Sequence, residues 1–349
     1  MFVYVGSRTT VERNARGKGI SIFHCNESNG HLELVSIVRD LVNPSFFTLN
    51  RRGDRLYCVH GDTSDVSAFA VDKAEGSLTF INRQSCAGKN PVHLALDNTE
   101  QHLVVSNHIT GTLAVMGVGE QGELLATAQL VSLEGQPGPH RVEQPFAKPH
   151  FNIFDPAGQF VVVPDKGLDR IFSYQFVNGH LLPARVPHVD TREGAGPRHI
   201  VFHPVKAYAY AVNELDSTVT FYQFDQHSGA LLPMQTLPSL PDRYTGNSRA
   251  SEIEVSASGR FLYVSNRGYD SIGVFAIDSS GFLTPVQFEP TRGKTPRYFC
   301  LSPDNRFLFS LNEDSDSITL FDVDESTGSI FYTDKAFFTE SPVCMLFGK

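Results

Sequence analysis

A sequence block of about fifty residues returns along the whole of this chain, and a fixed period of that kind has to be settled before any other fold assignment. Its clearest copy runs Gly196-Pro197-Arg198-His199-Ile200-Val201-Phe202-His203-Pro204, then Tyr208-Ala209-Tyr210-Ala211-Val212-Asn213-Glu214-Leu215-Asp216-Ser217. This reads as a short apolar strand, a turn, a second apolar strand and a polar corner. The grammar repeats from Thr295-Pro296-Arg297 through Phe307-Leu308-Phe309-Ser310-Leu311-Asn312-Glu313, and from Ser251-Glu252-Ile253 through Phe261-Leu262-Tyr263-Val264-Ser265-Asn266-Arg267. Copies begin near Pro44, Pro91, Pro149, Pro197, Ala250, Pro296 and Pro342, at intervals of roughly 46 to 58 residues. Inside each copy the apolar residues alternate with period two, the mark of strands and not of helices.

A Gly-containing hairpin then introduces a further strand in most copies, as at Glu75-Gly76-Ser77-Leu78, Ser228-Gly229-Ala230-Leu231 and Thr327-Gly328-Ser329-Ile330. Four antiparallel strands per copy make one blade of a β-propeller. The two ends of the chain complement each other. Pro342-Val343-Cys344-Met345-Leu346-Phe347 is an inner strand without successors, and Phe2-Val3-Tyr4-Val5-Gly6-Ser7 looks like a second strand without a first. Pairing them closes the ring and removes exposed strand edges. The expected fold is therefore all-β: one domain over residues 1–349, a seven-bladed β-propeller closed by its N- and C-terminal strands. With no Trp in the chain, a Trp-Asp repeat is absent.

Composition narrows the function. A formal net charge of −9 argues against a surface given over to nucleic acid, and leaves room for a local basic pocket. No run approaches the 18 or so apolar residues of a membrane-spanning helix, and the start lacks the pattern of a signal peptide, so a cytoplasmic protein is expected. Five cysteines with no CxxC pair read as reduced, buried thiols, and neither a structural zinc nor a cofactor is expected. The long linker over 134–148 leads straight into His150 and is read as a flap over the site.

In a blade the inner strand and its neighbour are antiparallel, so the start of the first and the end of the second share one mouth of the central channel. The residue after each opening position reads Ser45, Val92, His150, Arg198, Ser251, Arg297, Val343; the residue ending each second strand reads Arg8, Gly61, His108, Lys166, Glu214, Arg267, Glu313. Leaving Arg8 aside, these are four cations and two imidazoles against two carboxylates, an inversion of the chain's acidic balance. A small anionic ligand is expected, since a narrow mouth focuses the field and arginine forks bind phosphate or carboxylate. Each residue also has a plain structural use: an arginine can bind carbonyls of the next blade, Glu214 can rigidify the ring, and His150 can be a satisfied wall residue. The recurrent Asn107, Asn213, Asn266 and Asn312 suit strand ends that turn the chain.

These residues resemble the seven-bladed lactonase family, which holds bacterial propeller-type 6-phosphogluconolactonase and fungal 3-carboxy-cis,cis-muconate lactonizing enzyme. The resemblance rests on Gly194-Ala195-Gly196-Pro197-Arg198-His199, Tyr210-Ala211-Val212-Asn213-Glu214-Leu215, Leu262-Tyr263-Val264-Ser265-Asn266-Arg267-Gly268, and Asp165-Lys166-Gly167-Leu168-Asp169-Arg170. It implies an active site of His150, Arg198, Glu214 and Arg267. The chain departs from the family's usual pattern at Glu254, Glu313 and Lys166, which bears on the substrate more than on the reaction class.

The expected activity is hydrolysis of a phosphorylated sugar lactone, 6-phosphoglucono-δ-lactone. In that reading Glu214, with His150 nearby, deprotonates water; Arg198 and Arg267 stabilise the oxyanion; Arg297, His199 and Lys166 hold the phosphate, and His108 lines the substrate site. No Gly-x-Ser-x-Gly elbow stands at a strand-to-helix turn, so no acyl-enzyme is expected. Glu214→Gln is expected to leave folding intact and to cut turnover at least about a hundredfold. Two alternatives stay open: a muconate-type lactonizing cycloisomerase using the same cationic mouth, and a non-catalytic propeller that serves as a binding scaffold.

Overall fold

The computed structural model describes residues 1–349, and its strands fall into seven four-stranded antiparallel sheets. Six are continuous in sequence and open on the inner strands Pro44–Leu49, Pro91–Leu96, Ile153–Phe154, Pro197–Phe202, Arg249–Val255 and Pro296–Leu301; we number these blades 1 to 6. The seventh combines Pro342–Phe347 with Phe2–Ser7, Ile20–Asn26 and His31–Val38. Its seam is antiparallel, pairing Val3 with Phe347, Val5 with Met345 and Gly6 with Cys344. The expected closure is thus present. Gly6 is needed at this seam: a Cβ there would meet the Pro44 carbonyl oxygen at 2.2 Å and the Cys344 sulfur at 2.6 Å.

Burial explains the strand pattern. The second strand of each blade is covered on both faces by neighbouring blades, so Leu56–Val59, Leu103–Asn107 and Phe160–Asp165 are buried throughout. Outer strands such as Leu124–Ser132 face solvent on one side and alternate instead. The core is divided among the blade interfaces. Tyr57, Val59 and Ala68 of blade 1 pack on Leu94, Leu103 and Val105 of blade 2, and the remaining interfaces repeat this arrangement. Tyrosine hydroxyls tie the interfaces laterally: Tyr57, Tyr210 and Tyr263 donate to the Gly122, Gly281 and Gly328 carbonyls of the following blade at 3.1, 3.0 and 3.0 Å. Gly328 sits at φ +76° with Phe261 where a Cβ would stand, at 2.3 Å, so the hairpin position excludes other residues on two counts.

The recurrent asparagines are buried and internal in purpose. Asn107, Asn213 and Asn312 donate from Nδ2 to Thr112, Thr218 and Thr319 on the next strand, locking the corner that carries the mouth residues. All five cysteines are buried and free. No helix is long and apolar enough to cross a membrane. Blade 3 departs from its neighbours: its inner strand is reduced to Ile153–Phe154 plus a bridge between Pro149 and Asp165. The Asp165 Oδ1 accepts the backbone N–H groups of Lys148, Gly167 and Leu168 at 2.9 Å each, fastening the end of the 134–148 loop beside His150.

Removing residues 342–349 deletes the inner strand of the closing blade and exposes both edges of the broken ring. Loss of a cooperative thermal transition, followed by circular dichroism at the β-strand band, is the expected outcome.

Candidate active site

The inner strands share a local device that sequence alternation alone does not reveal. In blade 4, Pro197 pairs with Asn213 and His199 with Val212, so Arg198 is the extra residue of a β-bulge; blades 1, 2, 5 and 6 carry a register shift at the matching place. A bulge re-aims side chains and breaks the period-two alternation. Two consecutive residues therefore face the channel mouth: Ser45 with Phe46, Arg198 with His199, Arg297 with Tyr298.

These residues line a cavity of about 300 Å³ at that mouth. His150, Arg198, Glu214, Arg267, Arg297, His199, Lys166 and His108 all contribute to its wall, so the structure brings together every site residue expected from sequence. It adds Arg8, Arg13, Glu143, Arg249 and Glu252. Six arginines and Lys166 stand against Glu143, Glu214 and Glu252, so the positive excess is larger than the two sequence columns indicate. Phe46 and Tyr298 form part of an apolar lining, their rings edge to face at 6.0 Å.

Glu214 is the electrostatic hub. It is 3% exposed, with Oε1 3.1 Å from Lys166 Nζ and Oε2 3.2 Å from both Arg198 Nε and Arg267 Nη2. Burial alone would raise its pKa, but Arg267, Lys166 and Arg198 outweigh it and hold the carboxyl well below the usual carboxylate range. A carboxylate shared by three cations, with Oε2 meeting two guanidinium groups at once, is suited to hold three blades together. Glu214, expected from the sequence to deprotonate water, stands among cations that hold it ionised. Glu214→Gln, expected from the sequence to leave folding intact, removes the carboxylate of Arg198 and Arg267, while Lys166 keeps Glu143.

Lys166 is likewise engaged, donating to Glu143 at 3.0 Å and Glu214 at 3.1 Å, so it is not free for phosphate. Glu143 lies in the 134–148 loop and also meets Arg249 at 2.7 Å, which seats the expected flap against the cavity wall. Its carboxyl is held at about 2; burial opposes this, and Lys166 and Arg249 prevail.

His199 is not a free phosphate ligand either. Its Nδ1 lies 2.8 Å from Glu252 Oε1, and its Nε2 lies 3.1 Å from Arg198 Nη1 and 3.3 Å from His150 Nδ1. A guanidinium only donates, so His199 Nε2 must accept. The proton of neutral His199 then sits on Nδ1 and is donated to Glu252 Oε1, which also receives the Ile253 N–H at 3.1 Å. His150 Nδ1 faces the same His199 Nε2, and in the tautomer that carries its proton on Nδ1, His150 Nε2 keeps a lone pair with no hydrogen bond to the protein. Burial first, then Arg198, His108 and His199, push the His150 pKa well below its ordinary value. Burial and Arg198 act alike on His199, while burial raises Glu252, whose Oε2 has no partner. This is a chain of neutral groups and not an ion pair. His108 accepts its place beside His150, ring centroids 5.1 Å apart, and burial lowers it to about 3.

Glu252 and Glu143 were missed from sequence for different reasons. The bulge turns Glu252 inward, one residue past the position that alternation selects, and Glu143 sits in a loop with no periodicity. The recurrent break after each opening residue is a signal for the first, and nothing local marks the second.

The fold and this cavity agree with a match to the family model "Lactonase, 7-bladed beta-propeller" over residues 2–347. The chain belongs to that lactonase family. Among its relatives, a 6-phosphogluconolactonase of Bacillus subtilis is 34% identical over 348 residues, covering 99% of this chain and 97% of the relative. Another 6-phosphogluconolactonase, of Formosa agariphila, is 32% identical and covers 94% of each chain. A solved periplasmic gluconolactonase of Pseudomonas aeruginosa superposes with a TM-score of 0.92 at 27% identity, covering 100% of this chain and 99% of that one.

Replacing Glu214 by Gln should cost about 3–5 kcal/mol of stability at neutral pH, read by chemical denaturation. The depressed carboxyl contributes above its unfolded pKa and loses that contribution as pH falls through its folded value, so the gap between variant and wild type should close in acid.

Proposed function

We propose that this protein hydrolyses 6-phosphoglucono-δ-lactone to 6-phosphogluconate. Its relatives of that name across nearly the full length support the substrate. The observation that carries the chemistry is a neutral His150 whose open Nε2 shares one cavity with the Arg198 and Arg267 guanidinium groups. His150 Nε2 takes a proton from water as the water oxygen attacks the lactone carbonyl carbon. The charge that develops on the carbonyl oxygen is received by Arg198 and Arg267, which Glu214 already holds in place; one such donor is worth about 3–4 kcal/mol. Collapse breaks the bond to the ring oxygen, and that oxygen recovers the proton from His150. The acid product then ionises to solvent. Glu252 acts through His199, receiving the Nδ1 proton of the tautomer that Arg198 sets.

His150→Ala should lower kcat by about 10²–10⁴-fold, measured against the spontaneous opening rate. Glu252→Ala should lower kcat while leaving KM nearly unchanged, since it acts on the base through His199 and not on the substrate. Because burial and Arg198 hold His150 low, wild-type kcat/KM should remain on its plateau near about pH 6.5, where an ordinary histidine is half protonated. A half-maximal rate at that pH, or normal turnover by His150→Ala, removes His150 from the reaction. Offering a carboxymuconate in place of the lactone, and following its absorbance, separates hydrolysis from cycloisomerisation.

We place the reaction in the cytoplasm. Five free, buried cysteines support this, because thiols persist in a reducing compartment. Cell fractionation of the full-length protein checks it; recovery outside the cytoplasm, where the Pseudomonas relative is named, overturns it.

A further inference from the structure

On the hydrolase reading above, the remaining question is what receives the phosphoryl group, because Lys166 and His199 are already bound. One part of the mouth is different. Arg8 of the closing blade and Arg297 of blade 6 share a single carboxylate, Glu313: Arg8 Nε is 2.8 Å from Oε1, and Arg297 Nε is 3.9 Å from Oε2. The neighbouring Arg13 is matched by its own partner, Asp62, with Nε 2.8 Å from Oδ2. Arg8 and Arg297 therefore leave one positive charge uncompensated in a partly enclosed space. Burial first, then the nearby Arg297 guanidinium, lower the Arg8 pKa to about 10, so Arg8 is charged at neutral pH.

Arg297 is also the cation of the cavity with its donors open. Its side chain makes no hydrogen bond to protein, whereas Arg198 donates to the Ser251 carbonyl at 2.7 Å and Arg267 to the Ala250 carbonyl at 3.0 Å. Arg297, held only loosely by the carboxylate that Arg8 occupies, presents unpaired donors to the cavity where an anion can complete the set. We propose that Arg8 and Arg297 form the seat of the substrate phosphate, and that this pair determines selection of phosphorylated over plain sugar lactones.

Three considerations support the assignment. A phosphate monoester carries about −1.5 to −2 charges at neutral pH and has three acceptor oxygens, enough to engage two guanidinium forks at once. A singly charged carboxylate has neither the charge nor the third oxygen. Ring order places the seat well: blade 3, which carries His150, lies across the channel from blade 6 and the closing blade. In the lactone, the carbonyl carbon and the phosphorus are likewise separated, by the ring oxygen and the exocyclic arm. With the phosphate on Arg8 and Arg297, the carbonyl is directed toward His150, Arg198 and Arg267.

The test compares wild type, Arg297→Met and Arg297→Lys on 6-phosphoglucono-δ-lactone and on glucono-δ-lactone, with spontaneous opening subtracted. The ratio of the two kcat/KM values should fall about 10- to 100-fold in Arg297→Met, chiefly through KM, and recover in part in Arg297→Lys, which restores the charge without the fork. Inorganic phosphate should compete with substrate in wild type and lose that effect in Arg297→Met. Thermal stability of Arg297→Met should equal or exceed that of wild type, because the substitution relieves the repulsion with Arg8. An equal loss on both lactones, or phosphate inhibition kept by Arg297→Met, overturns the seat and leaves the hydrolase reading in place. If wild type hydrolyses neither lactone, that reading fails instead. Calorimetry with inorganic phosphate then decides the seat alone: binding present in wild type and lost in Arg297→Met supports it, and any other result overturns it.

Discussion

Ring closure is the constraint on which every other feature rests. The seam between Phe2–Ser7 and Pro342–Phe347 makes the last strand of the chain the inner strand of a blade whose other strands come first in sequence. Without it, two blades would expose open edges and two apolar interfaces would lack a partner. With it, each apolar face is covered by a neighbour, and the inner strands are fixed at one radius around the channel. The positions of Arg8 and Arg297, 289 residues apart in sequence, are set by this seam and by nothing local.

Charge is concentrated where that geometry converges. A chain of net charge −9 places six arginines and a lysine on one small cavity. Taken singly, buried cations cost several kcal/mol to desolvate. They are tolerated here because Glu214 serves Lys166, Arg198 and Arg267 together, and Glu143 serves Lys166 and Arg249. The same shared carboxylates keep the guanidinium groups oriented before any substrate arrives, which is the condition for them to stabilise a developing oxyanion without reorganisation. Beside them, burial keeps His150 and His199 neutral, so neutral imidazoles and charged guanidinium groups line one cavity.

Residue type and role come apart at this mouth. Glu214 is the carboxylate that a reader of the sequence selects as the base, because it ends a strand at the channel. Its surroundings hold its carboxyl well below the usual carboxylate range. Glu252, one position beyond the expected column, has its pKa raised by burial and is hydrogen-bonded to an imidazole. His199 lies beside Arg198 in sequence and, on alternation, should face the other way; the bulge between Pro197 and His199 turns both toward the channel.

The blade number, the four-stranded pattern, the closing seam and the two columns of mouth residues were all legible in the sequence. Each follows from hydrophobic periodicity and the fixed repeat, which are properties of the chain itself. Which of the gathered side chains are free and which are spent was decided only in three dimensions. Lys166 loses its availability to a loop glutamate, His199 is held between Arg198 of blade 4 and Glu252 of blade 5, and Arg297 keeps its donors because its nearest carboxylate is taken by Arg8. Periodicity reports which face of a strand is buried; it carries no information on the partner that a charge meets across a channel, since that partner comes from another blade.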